Sequence, residues 1–453
     1  MTELPTTAAE FYAARDNRTN AYTGVAPRYT TTKVLVTANA DYLRTVAGQV
    51  ALLVSANLLS RWCRHVSLEL EDVRQIASPQ GPSLRAAALA LMRDADPFGS
   101  FVNGDEDTPD LHLHIGSSPP SANAQRLTVI SSSGWVACVR RTPGGFAPGD
   151  ESPVGAAAAG VLGGAQLFRD ALEMDDIFPP CLLFDAFTGL PCTDFVEHPR
   201  LGSTALGQLL MVGAGSVGSA TAYFMRLFGL VASLTITDAD VVKVENFGRS
   251  PLFGCSNLGE PKVVAVEAAL AGSQIATHAH PSWWHESPVR NLDNFDLVIP
   301  VANEYGVRWS LQTSIPPLMV HASTGKNWNV NFGRHVPGRD DCLVDRFSEF
   351  DAPVLPACSA GAVAIPSGEQ VDAALPFLSF WAGFLAAADL ARLTVAGYPH
   401  VPNFGNYSFR KNRFTPQQYD EHPREGCECT RQGAAFSAFR AGGRYRSLSP
   451  ASW

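Results

Sequence analysis

The chain has 453 residues, a net charge of −9, 46% apolar residues and 17% charged ones. This length exceeds one ordinary domain, and the composition excludes global disorder and offers no basic footprint for DNA or RNA. Nine cysteines spread over a long chain do not read as a disulfide framework and point to a reducing cytosol.

The first 30 residues are polar and turn-rich, with a short helix expected over 8–15 and no basic, apolar pattern of a secretory leader. Residues 33–37 (KVLVT) read as a strand, 42–60 as one long amphipathic helix, and 65–70 (HVSLEL) as a second strand ending in Glu71-Asp72. Short strands follow at 111–115 and 127–131, then a helix of small residues at 154–172. Residues 173–203, rich in proline, glycine and acids, read as a boundary between a domain at 1–190 and one at 191–453.

The second part repeats the order of the first with one change. A strand at 208–212 passes into Gly213-Ala214-Gly215-Ser216-Val217-Gly218, then a helix, then a strand at 233–237 ending in Asp238. Strand, glycine turn, helix, strand and acid form a dinucleotide-binding unit, in which glycines let phosphate approach the amides at the helix start. At the matching place the first part has TANADYL, which cannot cradle a phosphate. The pattern continues with a helix at 261–271, a segment of little pattern at 272–293, a strand at 296–301, a helix at 304–314 and a strand at 318–322. A hairpin-like stretch at 327–337, a closing helix at 377–393 and a partly ordered tail at 400–453 complete it. That closing helix is the longest apolar run, but Asp389 and Arg392 mark it as a core helix rather than a membrane span. The fold class is therefore α/β: two Rossmann-like units, the first without the nucleotide glycine turn.

After Asp238 come Asp240, Asn246 and Arg249, then Gly259-Glu-Pro-Lys262. Hydride transfer does not need two fixed cations beside a dinucleotide. A reaction gathering negative charge at phosphorus does.

On these residues the sequence resembles the ThiF/MoeB superfamily, which includes the activating enzymes of ubiquitin-like proteins. The family pattern GxGxxG, DxDxVxxxNxxRQ and GxxKV is matched over 200–395, with Ser250 where glutamine is usual. The resemblance implies ATP and magnesium, with Gly213, Gly215, Gly218, Asp238, Asp240 and Asn246 around the nucleotide and Arg249 and Lys262 acting on its phosphates. Asn303 stands where the family usually has an aspartate that helps hold magnesium, so metal affinity is expected to drop. Cys358, in PACSAG before the closing helix, matches the family's crossover-loop nucleophile; Cys255 is the runner-up. Cys342, Cys427 and Cys429, with Asp345, match a degenerate form of the family's zinc site; unligated loop cysteines are the alternative. His112 and His114 share a strand face and are expected to be satisfied locally, as are His278 and His280. Arg15 and Arg18 are candidates to reach the triphosphate from the inactive half.

The implied activity is adenylation of the C-terminal glycine of a β-grasp protein, then a thioester on Cys358 for a conjugating-enzyme-like partner. Two alternatives stand: adenylation in sulfur-carrier or peptide modification without a thioester, and an inactive scaffold binding a β-grasp partner. The expected setting is cytoplasmic, without nucleic acid or membrane, as a homodimer or as a pseudo-dimer within the chain.

Overall fold

The computed structural model describes residues 2–23, 28–104, 108–118, 126–144, 152–174, 178–302, 305–325, 328–342, 362–364, 370–372, 374–395, 401–409 and 414–431. The chain opens with α1 (Ala8–Arg15), capped by the Thr7 hydroxyl, and α2 (Asn17–Thr23). The first half then gives β1 (Lys33–Ala38), α3 (Ala40–Leu43), α4 (Val46–Ser60), β2 (His65–Glu69), α5 (Leu84–Ala95), β3 (Ser100–Asn103) and β4 (Leu111–Ile115). It closes with β5 (Arg126–Ser133), β6 (Val136–Arg140), α6 (Pro153–Ala171), β7 (Cys181–Asp185) and β8 (Leu190–Cys192).

The second half runs β9 (Gln208–Val212), α7 (Ser216–Leu227), β10 (Ala232–Thr237), α8 (Val244–Phe247), α9 (Lys262–Leu270), β11 (Ile275–His280), β12 (Leu297–Pro300), α10 (Tyr305–Thr313) and β13 (Met319–Gly325). Then come β14 (Asn329–His335), a small hairpin of β15 (Ala362–Ala364) and β16 (Gln370–Asp372), α11 (Pro376–Arg392), β17 (Phe404–Ser408), β18 (Thr415–Tyr419) and α12 (Glu428–Arg431).

Each half builds an eight-stranded sheet, and the two sheets have the same topology. The orders are β3-β2-β1-β4-β5-β6-β7-β8 and β11-β10-β9-β12-β13-β14-β17-β18. In each, the first five strands are parallel and the last three antiparallel. The direction of strand order reverses between β1 and β4 and between β9 and β12. Such switch points open a crevice at the carboxyl ends of the strands.

The long small-residue helices lie between the halves. Gly160 and Gly164 of α6 sit against Val54 and Leu58 of α4, and Gly383 of α11 sits against Ala220 of α7, where any Cβ would collide. Across the join, Phe168 of α6 meets Phe377 of α11 at 5.5 Å, and the Arg169 guanidinium donates to the Phe409 carbonyl at 3.1 Å. One continuous apolar cluster consequently runs through both halves. The Tyr407 hydroxyl, bonded to the Gly189 carbonyl at 3.1 Å, and Gln418, bonded to the Thr188 carbonyl at 2.8 Å, tie β17 and β18 to the β7–β8 turn.

Several expectations need correction. The helix expected over 42–60 is two helices, because Thr45 takes an extended backbone and caps α4 by accepting from the Gly48 amide. The stretch 272–293 contains β11, an edge strand whose alternating exposure in ATHAH hides its apolar signal. Residues 173–203 carry β7 and β8, and the tail contributes β17 and β18. All four are short antiparallel strands that need their neighbours to form. The elements α5, β3 and β6 were not foreseen. Among the described residues no helix is long and apolar enough to cross a membrane.

Candidate active site at the β9–β12 switch point

The three glycines of the turn after β9 have three separate reasons. Gly213 has φ +103°, and a Cβ there would sit 2.6 Å from the Ala302 amide nitrogen. Gly218 packs so closely that a Cβ would overlap the Gly213 carbonyl, which draws α7 onto the strand end. At Gly215 a Cβ would meet nothing within 4 Å, so the protein alone does not require glycine there. Gly215 is also the N-cap of α7 and supplies no side chain, so the opening amides of that helix face this space without a side-chain cap. An open glycine before an uncapped helix start fits a phosphate group.

Asp238 follows β10. Its Oδ2 accepts from the Ala214 amide at 2.7 Å and its Oδ1 from the Asp240 amide at 2.9 Å, which locks it beside the glycine turn. Burial raises the carboxyl above its ordinary range, while Lys262 and the two amides pull the other way. Asp240 accepts from Lys262 Nζ at 2.6 Å, and the Lys262 amide donates to the Asp240 carbonyl at 2.9 Å. Lys262 is the first residue of α9, with Pro261 as its cap, and is 7% exposed. Its ammonium therefore reaches the carboxyl end of β10 from the first turn of a helix.

Asn246 accepts from the Lys243 amide at 2.8 Å and shapes the turn of α8 rather than facing the crevice with that oxygen. Arg249 lies just beyond, 8% exposed, with Nη1 donating to the Glu245 carbonyl at 2.6 Å. Ser250 is fully buried, and its hydroxyl has no hydrogen-bond partner among the described residues.

The first half encloses the segment that bears Arg249. The Arg15 main chain lies against Gly248, and Asp94 accepts from the Ser256 amide at 2.8 Å. Arg61 donates to the carbonyls of Phe247, Pro251 and Phe253. Neither Asp94 nor Arg61 was singled out from the sequence. The one available signal was positional, because Arg61 ends α4 as Arg226 lies in the last turn of α7.

Other expected residues are placed as follows. Asn303 and Cys358 lie outside the described residues, as does Asp345. The Arg15 side chain is fully buried in ion pairs with Asp16 at 2.6 Å and Asp96 at 2.5 Å, so it is structural and does not serve a triphosphate. The Arg18 carbonyl accepts from the Ala374 amide at 3.1 Å, which ties α2 to the stretch between β16 and α11. Burial, with Asp94 and Asp96 near, pushes the Cys255 thiol up to about 11, which suits a packed side chain and not a nucleophile. His112 and His114 both contact the Thr37 hydroxyl, at 2.7 and 2.8 Å, and are satisfied locally as expected.

Cys342, Cys427 and Cys429 converge. All three are buried, with sulfurs 3.7 Å apart for Cys342–Cys427 and 2.9 Å for Cys427–Cys429. All three sulfurs lie within 4.8 Å of one another. Three thiols drawn together from the segment after β14 and the start of α12 supply three of the four donors of a tetrahedral zinc site.

The ThiF family model matches residues 202–429, just over half of the chain, and the model of the BilD N-terminal domain matches residues 33–176. The uncharacterized protein y4jF of Sinorhizobium fredii (strain NBRC 101917 / NGR234) is 28% identical over 238 residues, which cover 51% of this chain and 44% of that protein. The chain thus matches less than half the length of that relative.

Proposed function

The chain belongs to the ThiF family, and on that premise we propose that it activates a ubiquitin-like β-grasp protein at its C-terminal glycine. One observation carries the reading: Asp238, Lys262 and the open Gly215 turn converge on the carboxyl ends of β9 and β10, with Arg249 on the adjoining segment. The match of the first half to the BilD N-terminal domain, related to bacterial ubiquitin-like conjugation, supports the choice of substrate.

In this reading ATP is a co-substrate. Asp238 holds its ribose, the amides at the start of α7 meet its phosphates, and Arg249 and Lys262 neutralise charge there. A carboxylate oxygen of the glycine attacks the α-phosphorus, the bond from that phosphorus to the bridging oxygen breaks, and pyrophosphate leaves. Fixed cations lower such a barrier because they need no reorganisation as charge moves onto the leaving group. Lys262 must first exchange Asp240 for phosphate. Asp240 would then be free to hold a magnesium ion, which would screen phosphate charge, with Asn303 adding only a neutral oxygen. Cys358 then attacks the acyl carbon as thiolate, AMP leaves, and the thioester passes to a conjugating partner. Cys342, Cys427 and Cys429 would hold a zinc ion whose role is structural. Metal analysis of the purified chain should find about one zinc per chain, and none after Cys429→Ser; a zinc-free wild-type protein removes that assignment.

The test is incubation with Mg-ATP and a glycine-ended β-grasp protein, followed by reducing and non-reducing gels. A reductant-sensitive adduct is expected, lost in Cys358→Ala. Pyrophosphate exchange without an adduct points to adenylation alone, and neither activity points to a binding scaffold.

A further inference from the structure

We infer that Arg61, in the first half, is a positioning residue for Arg249: it fixes the main chain on both sides of Arg249 and so sets where that guanidinium meets the nucleotide phosphates. The identity of the ligand rests on the adenylation reading above; the positioning rests on geometry alone.

Arg61 follows α4 and is 2% exposed. Its Nη1 donates to the carbonyls of Phe247 at 3.0 Å and Phe253 at 2.6 Å. Its Nη2 donates to the Pro251 carbonyl at 3.1 Å and to Asn57 Oδ1 at 2.7 Å, and its Nε bonds Asn57 Oδ1 at 3.0 Å. Asn57 Nδ2 in turn donates to the Pro251 carbonyl at 3.1 Å. Arg249 therefore lies between two carbonyls, those of Phe247 and Pro251, held by one guanidinium. These acceptors are neutral oxygens. Burial lowers the Arg61 pKa to about 10, which leaves it charged at neutral pH.

A buried cation held by neutral carbonyls is a costly way to fill space, and an apolar side chain would pack there more cheaply. What the guanidinium supplies is a rigid fork of donors at fixed angles, which lysine cannot reproduce. Arg226 gives an internal control. It lies near the end of α7 as Arg61 does for α4, and it also crosses between halves, donating to Ser78 Oγ at 3.2 Å and to the Ala269 carbonyl. The segment it meets in the first half bears no phosphate-facing residue.

The experiment uses the full chain, ATP with Mg²⁺, calorimetric binding and thermal melting. Arg61→Lys keeps the charge and most of the volume, so loss of fold is not its main effect. It should weaken ATP binding about tenfold, the scale of one lost charged contact. Arg226→Ala should lower Tm without changing ATP affinity. In an Arg249→Ala background, Arg61→Lys should add no further loss, since both act through one contact. A lowered Tm with unchanged ATP affinity in Arg61→Lys overturns the inference, as does a loss that adds fully to that of Arg249→Ala. ATP binding without pyrophosphate exchange defeats the adenylation reading and leaves the Arg61 result interpretable.

Discussion

The two crevices of this protein share a topology and differ in every feature that a nucleotide would use. At the second, Gly215 opens space and the start of α7 has no side-chain cap. At the first, α3 occupies the place of the glycine turn, and the Thr45 hydroxyl closes the start of α4 by accepting from the Gly48 amide. Asn39 Oδ1 accepts from the Ser117 amide at 2.7 Å, and Arg44 bridges Asp41 and Glu71 across the mouth. The strand faces opposite the helices of α4 and α7 differ as well. Leu210, Val212 and Val298 form an apolar patch with Leu311 of α10 and Trp284, whereas the matching positions in the first half include Thr37 and His112. The lesson is that a Rossmann-like sheet persists while the turn at its switch point is filled by local hydrogen bonds.

The sharpest way to break this comparison is at Lys262. Lys262→Ala should cut pyrophosphate exchange on the order of a hundredfold or more, the scale of removing one charge-stabilising group. Exchange near the wild-type rate would take Lys262 out of the phosphate site. The glycines give a paired test. Gly213→Ala should destabilise the chain by about 1–3 kcal/mol in urea unfolding, because φ +103° and the Ala302 amide both oppose a side chain. Gly215→Ala should leave Tm unchanged and weaken only ATP binding; an equal loss of stability at both positions would deny that Gly215 is kept for a ligand.

A third prediction concerns pH. Burial, then the neighbouring His112, lowers the His114 pKa from 6.5 to about 4. The unfolded chain then binds the proton more readily, so this contribution to stability is intact above pH 6.5 and is lost as pH falls toward 4. The loss by pH 4 is on the order of 3 kcal/mol. His114→Gln should flatten the dependence of the urea midpoint over that window, and an unchanged slope would assign acid sensitivity elsewhere. The smallest effect is expected at Arg44. Arg44 and Glu71 are about half exposed and Asp41 almost fully so, and Arg44→Ala should therefore cost under ~1 kcal/mol in urea unfolding. It should also leave one ATP per chain in calorimetry, and a second binding event would show the first crevice to be only gated.

Most of the parallel core strands were legible because burial on both faces writes continuous apolar runs such as QLLMV and LVIP. The glycine turn and the acids after β10 were legible because each of those residue types answers a local backbone or charge requirement. The antiparallel strands β7, β8, β17 and β18 were not, since their stability comes from partners distant in sequence. Arg15 misled for a related reason: an arginine in a polar arm looks available until Asp16 and Asp96 close around it.

The sequence by itself determined which half carries the glycine turn and the Asp238, Arg249 and Lys262 pattern, because glycine spacing and acid placement answer local requirements of the backbone. Only the tertiary structure decided how Arg249 is held. Beyond its local hydrogen bonds, its segment is bonded to Arg61, Asn57 and Asp94, residues more than 150 positions away, and no local pattern encodes a contact that exists only after the two halves pack.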